Sequence, residues 1–358
     1  MKIALIGPPK SGKTTIFNAL TGADHEVDKY SPAASEANIG IVQVTDERIT
    51  WLSELYQPKK TIYANIEFHD FPGIFARESD NPETAIYPDI KSCEAFVLII
   101  RVFKDEELDE LYGEADPLKT LSHFEDEMIL ADMLVVEKRL EKILLGYKRG
   151  VKTPTIQIEE KALNRILEQL QANNSIRDMD FPPEEEKAIR GFQFFSAKPL
   201  LILLNSSESG FKKQEEALSA IRKRGFLAQV IAGKFEQELS SLSEEDTELF
   251  LADMGMELSI KDRLSMLCYE LLGLISFFTV GSDEVRAWSI PKGTNAVNAA
   301  GKIHSDLARG FIRAECFTYD ALTLHGSEKH LREKGLFRLE GKEYIVQDGD
   351  ILNIRFSV

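Results

Sequence analysis

A glycine-rich segment near the N-terminus has the composition and spacing of a phosphate-binding loop. It reads Gly7-Pro8-Pro9-Lys10-Ser11-Gly12-Lys13-Thr14 and lies between a short apolar run and a helix-forming stretch. Backbone N–H groups of such a loop, together with the following helix N-terminus, surround phosphate oxygens. We expect Lys13 to reach the β- and γ-phosphates of a nucleotide, and the Thr14 hydroxyl to bind Mg²⁺. The predicted phosphate-binding residues of this loop are Pro9, Lys10, Ser11, Gly12, Lys13, Thr14 and Thr15.

A second motif, Asp70-Phe71-Pro72-Gly73, follows a predicted strand, as the DxxG motif of GTPases does. An aspartate there can hold Mg²⁺, often through water, and the glycine N–H can contact the γ-phosphate. An isolated Asp-Pro-Gly cluster would indicate only a turn, but its place after a phosphate-binding loop favours a functional role. We predict Asp70 as a metal ligand and Gly73 as a phosphate contact.

The residue after Gly73 is Ile74, where a Ras-like enzyme has the glutamine that orients the attacking water. Isoleucine cannot hydrogen-bond to water, so we expect hydrolysis to be slow or to depend on a partner. His69 and Arg77 are nearby candidates for assisting it, although a histidine at a strand end is more often structural. No catalytic residue is assigned.

Base recognition is predicted at Asn205-Ser206-Ser207-Glu208, which follows an apolar run. Guanine-specific proteins have Asn-Lys-x-Asp here; this chain lacks the lysine, and its acid is longer by one methylene, so a guanine should fit less well. A helix cap at Asn205 is the simpler alternative. A second loop, Ala232-Gly233-Lys234, has the position of the segment that packs beside the base. The predicted base-binding residues are Asn205, Ser206, Glu208, Ala232, Gly233 and Lys234.

The segments around these motifs alternate between strand and helix. Lys2–Ile6, Ile62–Phe68, Ala95–Arg101 and Leu200–Leu204 are apolar runs typical of buried strands, and Thr14–Leu20 is a predicted helix. Strands buried on both faces with helices between them indicate an α/β fold with a mostly parallel sheet.

Two further regions have different periodicities. Residues 116–196 carry apolar side chains at helical spacing on two charged segments separated by Gly146, Gly150 and Pro154, which predicts an inserted helical hairpin. Helices packed flat on the sheet are the alternative. From residue 277 onward, strands Glu284–Ile290 and Phe311–Phe317 surround a helix over Asn295–Leu307. Tyr344–Ile354 is predicted to form two strands joined by an Asp-Gly turn.

Composition limits the possible functions. A chain of 358 residues suits two or three domains. Its net charge of −16 argues against general affinity for nucleic acid, but residues 276–358 contain eleven cationic and eleven acidic side chains and are neutral. Three scattered cysteines predict neither a disulfide framework nor a zinc site and fit a reducing cytoplasm. No apolar run is long enough for a membrane span.

These motifs resemble the YchF/Obg-like ATPase family over nearly the whole chain. The residues that carry the resemblance are Gly7–Thr14, Asn38–Gly40, Thr45–Arg48, Leu55–Lys60, Asn205–Glu208, Val285–Ile290, Ile303–Glu315 and Tyr344–Asp350. The resemblance implies a P-loop G domain over residues 1–115 and 197–275, an inserted helical arm over 116–196, and a ubiquitin-like β-grasp TGS domain over 276–358. It also implies a preference for ATP over GTP, slow hydrolysis and association with ribosomes.

The sequence departs from the family pattern in the first switch. The family usually has a threonine in a Cys-Thr-Ile-Glu-Pro-Asn stretch, and matching Glu36 and Asn38 puts Ala34 at that threonine. A missing hydroxyl would weaken contact with Mg²⁺ and the γ-phosphate unless the neighbouring Ser35 replaces it. Ser35 is therefore a candidate metal ligand.

The leading hypothesis is a ribosome-associated switch that binds ATP or GTP with Mg²⁺ and acts as a weak ATPase. The alternatives are a nucleotide-binding scaffold without significant hydrolysis and a GTP-specific GTPase. The expected partners are the nucleotide and the ribosome or ribosomal RNA, with no membrane, and the chain is expected to be a cytoplasmic monomer. Four cations of the C-terminal region are candidates for RNA phosphate contacts, with ordinary solvated surface as the alternative: Arg286, Lys292, Arg309 and Arg313.

Overall fold

The structure is a computed structural model and describes residues 1–23, 37–71, 88–242, 246, 247, 249, 251 and 258–357. The chain divides into two compact units. Unit 1 consists of Met1–Gly40 and Glu67–Ile260, and unit 2 of Ile41–Ile66 and Lys261–Val358. Unit 2 is therefore discontinuous in sequence, and it contains a segment that the sequence-based division had placed in the G domain. The three-domain division itself stays a prediction.

The strands and helices have the following bounds in the described part of the chain. The strands are β1 (Lys2–Ile6), β2 (Asn38–Gln43), β3 (Lys60–Ile62), β4 (Asn65–Asp70), β5 (Ala95–Arg101), β6 (Leu200–Asn205), β7 (Leu227–Ile231), β8 (Leu274–Thr279), β9 (Glu284–Pro291), β10 (Phe311–Thr318), β11 (Arg338–Glu340) and β12 (Asp350–Phe356). The helices are α1 (Lys13–Thr21), α2 (Glu47–Tyr56), α3 (Glu106–Tyr112), α4 (Pro117–Lys148), α5 (Pro154–Gln171), α6 (Pro183–Ile189), α7 (Glu215–Lys223), α8 (Gly233–Ser240), α9 (Ile260–Leu271), α10 (Ala296–Ile303), α11 (Ser305–Arg309), α12 (Tyr319–His325) and α13 (Glu328–Glu333).

The first sheet has the strand order β2-β4-β1-β5-β6-β7. The pairs β1/β4, β1/β5, β5/β6 and β6/β7 are all parallel. Every residue of β6 is buried, as are the first six of β5, because helices cover both faces of a parallel sheet. The predicted strands Lys2–Ile6, Ala95–Arg101 and Leu200–Leu204 are confirmed.

Helices α4 and α5 form the predicted hairpin of unit 1. Each begins at a side-chain cap followed by proline: Asp116 accepts from Lys119 N, and Thr153 accepts from Ile156 N. The two helices run antiparallel, since an ion pair joins Arg139 to Glu159 at 2.6 Å near the turn. At the other end, Asn173 Nδ2 donates to Asp126 Oδ1 at 3.1 Å.

A buried carboxylate fastens the base of this hairpin. Asp132 of α4 is 2 % exposed and accepts hydrogen bonds from Phe195 N at 2.9 Å and from Ser196 N and Oγ at 2.7 Å. Burial raises the pKa of Asp132 to about 6, against the opposing effect of these hydrogen bonds and of the charge on Lys91. Asp132 thereby holds the segment that leads into β6.

The second sheet is mixed, with the order β11-β10-β12-β8-β9-β3. Helix α10 packs on one face through Ala296, Ala299 and Ala300, which gives the β-grasp arrangement. On the other face, Ile49 and Leu52 of α2 enter a core with residues of α12, α13 and four strands. The predicted fold class is confirmed. No helix in the described ranges combines the length and apolarity needed to cross a membrane.

Three local predictions were wrong. The predicted strand Ile62–Phe68 is divided between β3, which pairs with β9 in the second sheet, and β4, which pairs with β1 in the first. The predicted helix Asn295–Leu307 is interrupted at His304, which has an extended backbone and whose Nδ1 accepts from Asp306 N. The predicted strand at Tyr344 is replaced by one isolated bridge between Asn295 and Ile345.

Candidate nucleotide-binding site

The glycine-rich loop connects β1 to α1 and requires two glycines. Gly7 has φ 148°, and a Cβ there would lie 2.3 Å from the carbonyl oxygen of Ile99 on the neighbouring β5. Gly12 has φ 95°, and a Cβ there would lie 2.1 Å from Asn205 Nδ2. Side chains are therefore excluded at both positions by backbone conformation and by space. Gly7 was not among the predicted phosphate-binding residues, although it is the first glycine of the motif and directly follows a buried strand.

The ammonium group of Lys13 is held inside the loop. Lys13 is 7 % exposed, and its Nζ donates to the carbonyl oxygens of Gly7 at 3.1 Å and Pro8 at 2.9 Å. Burial lowers the pKa of Lys13 to about 8, while the negative charge of Asp70 acts in the opposite direction. A buried cation held mainly by carbonyl groups is suited to receive an anionic ligand.

Thr14 and Asp70 meet beside this lysine. The Thr14 hydroxyl donates to Asp70 Oδ2 at 2.8 Å, and Asp70 is 4 % exposed. They meet because β4 lies next to β1, where Leu5 is the register partner of Asp70. A hydroxyl and a carboxylate supply the hard oxygen ligands that Mg²⁺ prefers, so the donor set fits that ion.

The side chain of Asn205, at the end of β6, is buried and hydrogen-bonds to backbone groups of two loops. Its Nδ2 donates to Ser11 O at 2.9 Å, and its Oδ1 accepts from Gly233 N at 2.9 Å. The amide thus joins the glycine-rich loop to the N-terminus of α8 and positions both. Sequence reasoning predicted a contact between this residue and the base, with a helix cap as the alternative. Its oxygen accepts from the first residue of α8, and the contact with the base stays a prediction.

The other predicted base-binding residues lie around Asn205. Ser206 is buried and its N–H donates to Ile231 O at 2.8 Å, whereas Glu208 is exposed at the start of a 3₁₀ turn, Glu208–Lys213. Ala232 and Gly233 are buried, whereas Lys234 is exposed. The structure therefore brings both predicted segments to the same side of the loop, through Asn205.

Two buried hydroxyls of this region lack hydrogen-bond partners in the described part of the chain. Ser11 Oγ lies within the glycine-rich loop, and Ser206 Oγ is adjacent to Asn205. Buried polar atoms are normally paired in native proteins. Pro9, Lys10 and Thr15 are each partly exposed along the same loop, and Lys10 adopts φ 60°.

The side chain of His69 contacts Glu67 and Phe71. It is 3 % exposed, its Nε2 lies 2.6 Å from Glu67 Oε1, and its ring stacks on Phe71. Because neighbouring residues of a strand point to opposite faces, His69 does not face the same way as Asp70. This arrangement favours the structural role over assistance to hydrolysis. Gly73, Ile74, Arg77, Ala34 and Ser35 lie outside the described residues.

A parallel sheet, a glycine-rich loop leading into α1, and the Thr14–Asp70 pair place the protein in the P-loop GTPase class. Residues 2–138 match the family model described as "50S ribosome-binding GTPase". Residues 274–357 match the C-terminal YchF GTPase model, described as "Protein of unknown function (DUF933)". A relative named YchF is 35 % identical over 99 % of the chain, so the chain belongs to the YchF family.

Relatives of this family match along the entire chain. A Bacillus subtilis protein called "Ribosome-binding ATPase YchF" is 35 % identical over 99 % of this chain and 98 % of its own. The protein of that name from Escherichia coli O157:H7 is 32 % identical over 100 % and 99 %. The solved Schizosaccharomyces pombe YchF GTPase has a TM-score of 0.82 at 29 % identity, covering 99 % of this chain and 97 % of that one.

Proposed function

We propose that this protein is an ATP-binding switch of the translation machinery that hydrolyses its nucleotide slowly to ADP and phosphate. The observation that carries the proposal is the hydrogen bond of 2.8 Å between Thr14 and Asp70, formed beside the buried Lys13. These are the three side chains that a P-loop enzyme needs for Mg²⁺ and the terminal phosphates.

Phosphate binding is assigned to the backbone of the glycine-rich loop and to Lys13. The loop residues are Pro9, Lys10, Ser11, Gly12, Lys13, Thr14 and Thr15, with Gly73 as a further contact. When the triphosphate binds, the Lys13 ammonium exchanges its carbonyl partners for phosphate oxygens. Thr14 and Asp70 would hold Mg²⁺, which would neutralise phosphate charge, and Ser35 is a candidate third ligand.

ATP is favoured over GTP by the residues near Asn205. The guanine-reading aspartate is replaced by Glu208, which is exposed at the first residue of a 3₁₀ turn. Ser206 Oγ, buried without a partner among the described residues, is available as a polar contact for the base or an ordered water. Ala232, Gly233 and Lys234 form the adjoining wall, since Gly233 N is bound to Asn205 Oδ1.

Slow turnover is supported by Ile74 and Ala34, which replace the water-orienting glutamine and the switch threonine. The relatives named as ribosome-binding ATPases support the ribosome as partner and the cytoplasm as location. A monomer is the simplest state for such a switch.

Single-turnover hydrolysis of radiolabelled ATP, with and without ribosomes, tests this proposal. We expect slow turnover that exceeds the Lys13→Ala background and rises when ribosomes are added. Turnover at that background in both conditions would show a nucleotide-binding scaffold instead, the alternative that Ile74 and Ala34 favour.

The GTP-specific alternative is supported by the GTPase names among the matches. Competition titration against a fluorescent nucleotide distinguishes this alternative from the proposed preference for ATP. We expect ATP to displace the probe at lower concentration than GTP does. Tighter binding of GTP would reject the ATP preference.

A further inference from the structure

The turn between α4 and α5 in unit 1 differs in charge from the chain as a whole. Residues 142–158 contain four cations and no acidic side chain, although the net charge of the chain is −16. The four are Lys142, Lys148, Arg149 and Lys152, and all of them are exposed. None forms an ion pair with another residue in the described ranges. Residues 142–152, called the hairpin tip below, are therefore a cationic segment without compensating acids.

The chain leaves α4 through the hydrogen bonds of a Schellman motif. Val151 N donates to Gly146 O and Gly150 N donates to Tyr147 O, each at 3.0 Å, and Gly150 has the positive φ of 81° that this motif uses. An apolar residue at the position of Val151 commonly packs on an apolar side chain in the last turns of the helix. Gly146 is the residue against Val151, with 4.0 Å between its Cβ position and Val151 Cβ, and it offers no side chain. Val151 is accordingly 52 % exposed.

Two leucines near the end of α4 are exposed as well. Leu144 and Leu145 are 55 % and 52 % exposed. Side chains three or four residues apart on a helix are neighbours, which places Lys148 and Arg149 beside Leu145. Such long cationic side chains can lie along apolar surface while their charges stay at the polar end. The hairpin tip thus presents apolar side chains among cations.

The hairpin tip lies far along α4 from the sheet of unit 1. The buried residues of α4 beyond Asp132 are Val136 and Ile143, and both pack with α5 in a cluster distinct from the core of the sheet. With a rise of about 1.5 Å per residue, Lys148 lies about 24 Å along the helix from Asp132. The Debye length at physiological ionic strength is about 8 Å. Acidic groups beside that sheet are therefore largely screened at the hairpin tip.

The carboxylates closest to the hairpin tip in sequence are mostly paired within the hairpin. Glu159 forms an ion pair with Arg139 at 2.6 Å. Glu160 accepts a hydrogen bond from the Tyr147 hydroxyl at 2.7 Å. Glu141 is exposed one turn before Leu145, so it opposes one of the four cations of the tip. A net positive charge remains available to an anionic surface.

We propose that the hairpin tip docks on the surface of an anionic phospholipid bilayer. Its cations are attracted to the headgroups, its apolar side chains enter the boundary between headgroups and acyl chains, and the two contributions add. A phosphodiester strand would neutralise the cations but leave Leu144, Leu145 and Val151 in water, so these residues favour lipid over nucleic acid. The expectation of no membrane partner was based on the absence of a spanning run, which a surface contact does not need. The inference is independent of the proposed nucleotide-dependent function.

Binding of the full-length protein to sedimented vesicles tests this proposal. Vesicles of phosphatidylcholine alone are compared with vesicles of equimolar phosphatidylcholine and phosphatidylglycerol. We expect the partition coefficient to be about tenfold larger for the anionic vesicles and to fall as the salt concentration rises. Lys148→Ala combined with Arg149→Ala should lower it about tenfold. Lys329→Ala combined with Lys334→Ala removes two exposed cations at α13 as a matched control and should leave it unchanged.

Leu145→Ser tests the apolar contribution. It should weaken binding to the anionic vesicles about fivefold, because a half-exposed leucine loses its contact with acyl chains. The matched control is Leu324→Ser, since Leu324 on α12 is 78 % exposed and should not contact the bilayer. Both variants should keep the melting temperature of wild type. Unchanged vesicle binding by Leu145→Ser would mean a purely electrostatic contact and would overturn insertion of the tip.

A fluorescent label reports where the hairpin tip lies. The native thiols of Cys93, Cys268 and Cys316 are all buried, so a cysteine introduced by Val151→Cys can be labelled selectively with an environment-sensitive dye. We expect its emission to shift to the blue when anionic vesicles are added and to be quenched by brominated acyl chains. The same dye on a Leu324→Cys variant should show neither effect. Absence of both effects at position 151 would contradict docking through the tip.

Two further results would overturn the proposal. One is failure of wild type to bind the anionic vesicles at low salt, and the other is an equal loss of binding in the tip variants and their controls. A labelled RNA hairpin, followed by anisotropy, provides the competing outcome. If wild type binds this RNA but not vesicles, and Lys148→Ala combined with Arg149→Ala loses the RNA, the tip contacts nucleic acid and the lipid assignment is wrong.

Discussion

The side-chain amide of Asn205 donates a hydrogen bond to the carbonyl oxygen of Ser11 across 2.9 Å. Its oxygen accepts from Gly233 N at the same distance, so one side chain connects the phosphate-binding loop to the loop before α8. All three residues are buried. The phosphate site and the proposed base site are therefore mechanically coupled through Asn205.

Replacing Asn205 with alanine should damage stability and nucleotide binding together. Both backbone groups would be left buried without partners, at a cost of about 1–3 kcal/mol each. We expect a lower melting temperature and an ATP affinity reduced at least tenfold, measured by thermal unfolding and fluorescent-nucleotide titration. Ser206→Ala is the control for stability alone, because its buried hydroxyl has no partner in the described residues. Identical melting temperatures of the two variants would contradict the role of Asn205 in joining the two loops.

Gly12→Ala should abolish nucleotide binding. The new methyl group would lie 2.1 Å from Asn205 Nδ2, and the backbone at φ 95° disfavours any side chain. Gly113→Ala is a matched control, since Gly113 has φ 80° but nothing within 4 Å of its Cβ position. It should lose about 1–3 kcal/mol of stability from backbone strain alone, because φ 80° with ψ 168° strongly disfavours a side chain, and it should keep its ATP affinity. Unimpaired ATP binding by Gly12→Ala would show that the loop is built differently.

Nucleotide affinity should fall at alkaline pH because of Lys13. Burial lowers its pKa to about 8, whereas adjacent phosphates would raise it, so binding above pH 8 requires uptake of a proton. We expect the Kd for ATP to be about tenfold weaker at pH 9 than at pH 7. Lys13→Arg is the control, because the arginine guanidinium stays protonated over this range. The ATP affinity that this variant retains should therefore not change with pH. A wild-type Kd that is constant over this range would refute the assignment.

The same lysine should affect the stability of the nucleotide-free protein. Between about pH 8 and 10.5, the unfolded chain binds more protons at this group than the folded one does. Lys13 therefore contributes an increase in stability as the pH rises through that window. Lys13→Met should lack this increase, and denaturant titrations of both proteins at pH 8 and 10 would detect it.

Asp132 should make the wild-type protein more stable in mild acid than at neutral pH, when each is compared with an Asp132→Asn variant. Burial raises its pKa to about 6, above the ordinary 3.8, so the folded state binds the proton more tightly than the unfolded chain. The resulting stability is fully present below about pH 3.8 and is lost as the pH rises through 6. The free energy of unfolding of wild type relative to Asp132→Asn should increase by about 1 kcal/mol from pH 7 to pH 5. A pH-independent difference would show that the hydrogen bonds from Phe195 and Ser196 keep the group ionised.

The sequence was sufficient for the strands of unit 1 because full burial leaves a clear signal. Leu200–Leu204 and Ala95–Arg101 are continuous apolar runs, and both lie in the centre of the sheet as predicted. The sequence was not sufficient for residues 60–68, because an alternation of side chains does not show which strand a segment will pair with. Only tertiary pairing shows that Lys60–Ile62 joins β9 while Asn65–Asp70 joins β1.

The candidate site, too, could be predicted from the sequence only in part. Motif spacing identified Lys13, Thr14 and Asp70, which the structure brings together. The double hydrogen bond of Asn205 depends on loops from residues 11 and 233, whose proximity no local pattern encodes. The pairing of Arg313 with Arg355 depends likewise on strand register, because the two residues are distant in sequence and opposite in the sheet.

The discontinuous unit 2 has a consequence for the order of folding during synthesis. Ile41–Ile66 leaves the ribosome early, but the strands and helices that bury Ile49 and Leu52 belong to Lys261–Val358. Unit 1 can therefore collapse while this segment still exposes its apolar side chains, and closing so long a loop carries an entropic cost. The ion pair of Arg48 forms late for the same reason, because at 2.7 Å it needs Asp348. No strand of Lys261–Val358 can cover α2 until synthesis has passed at least Phe278.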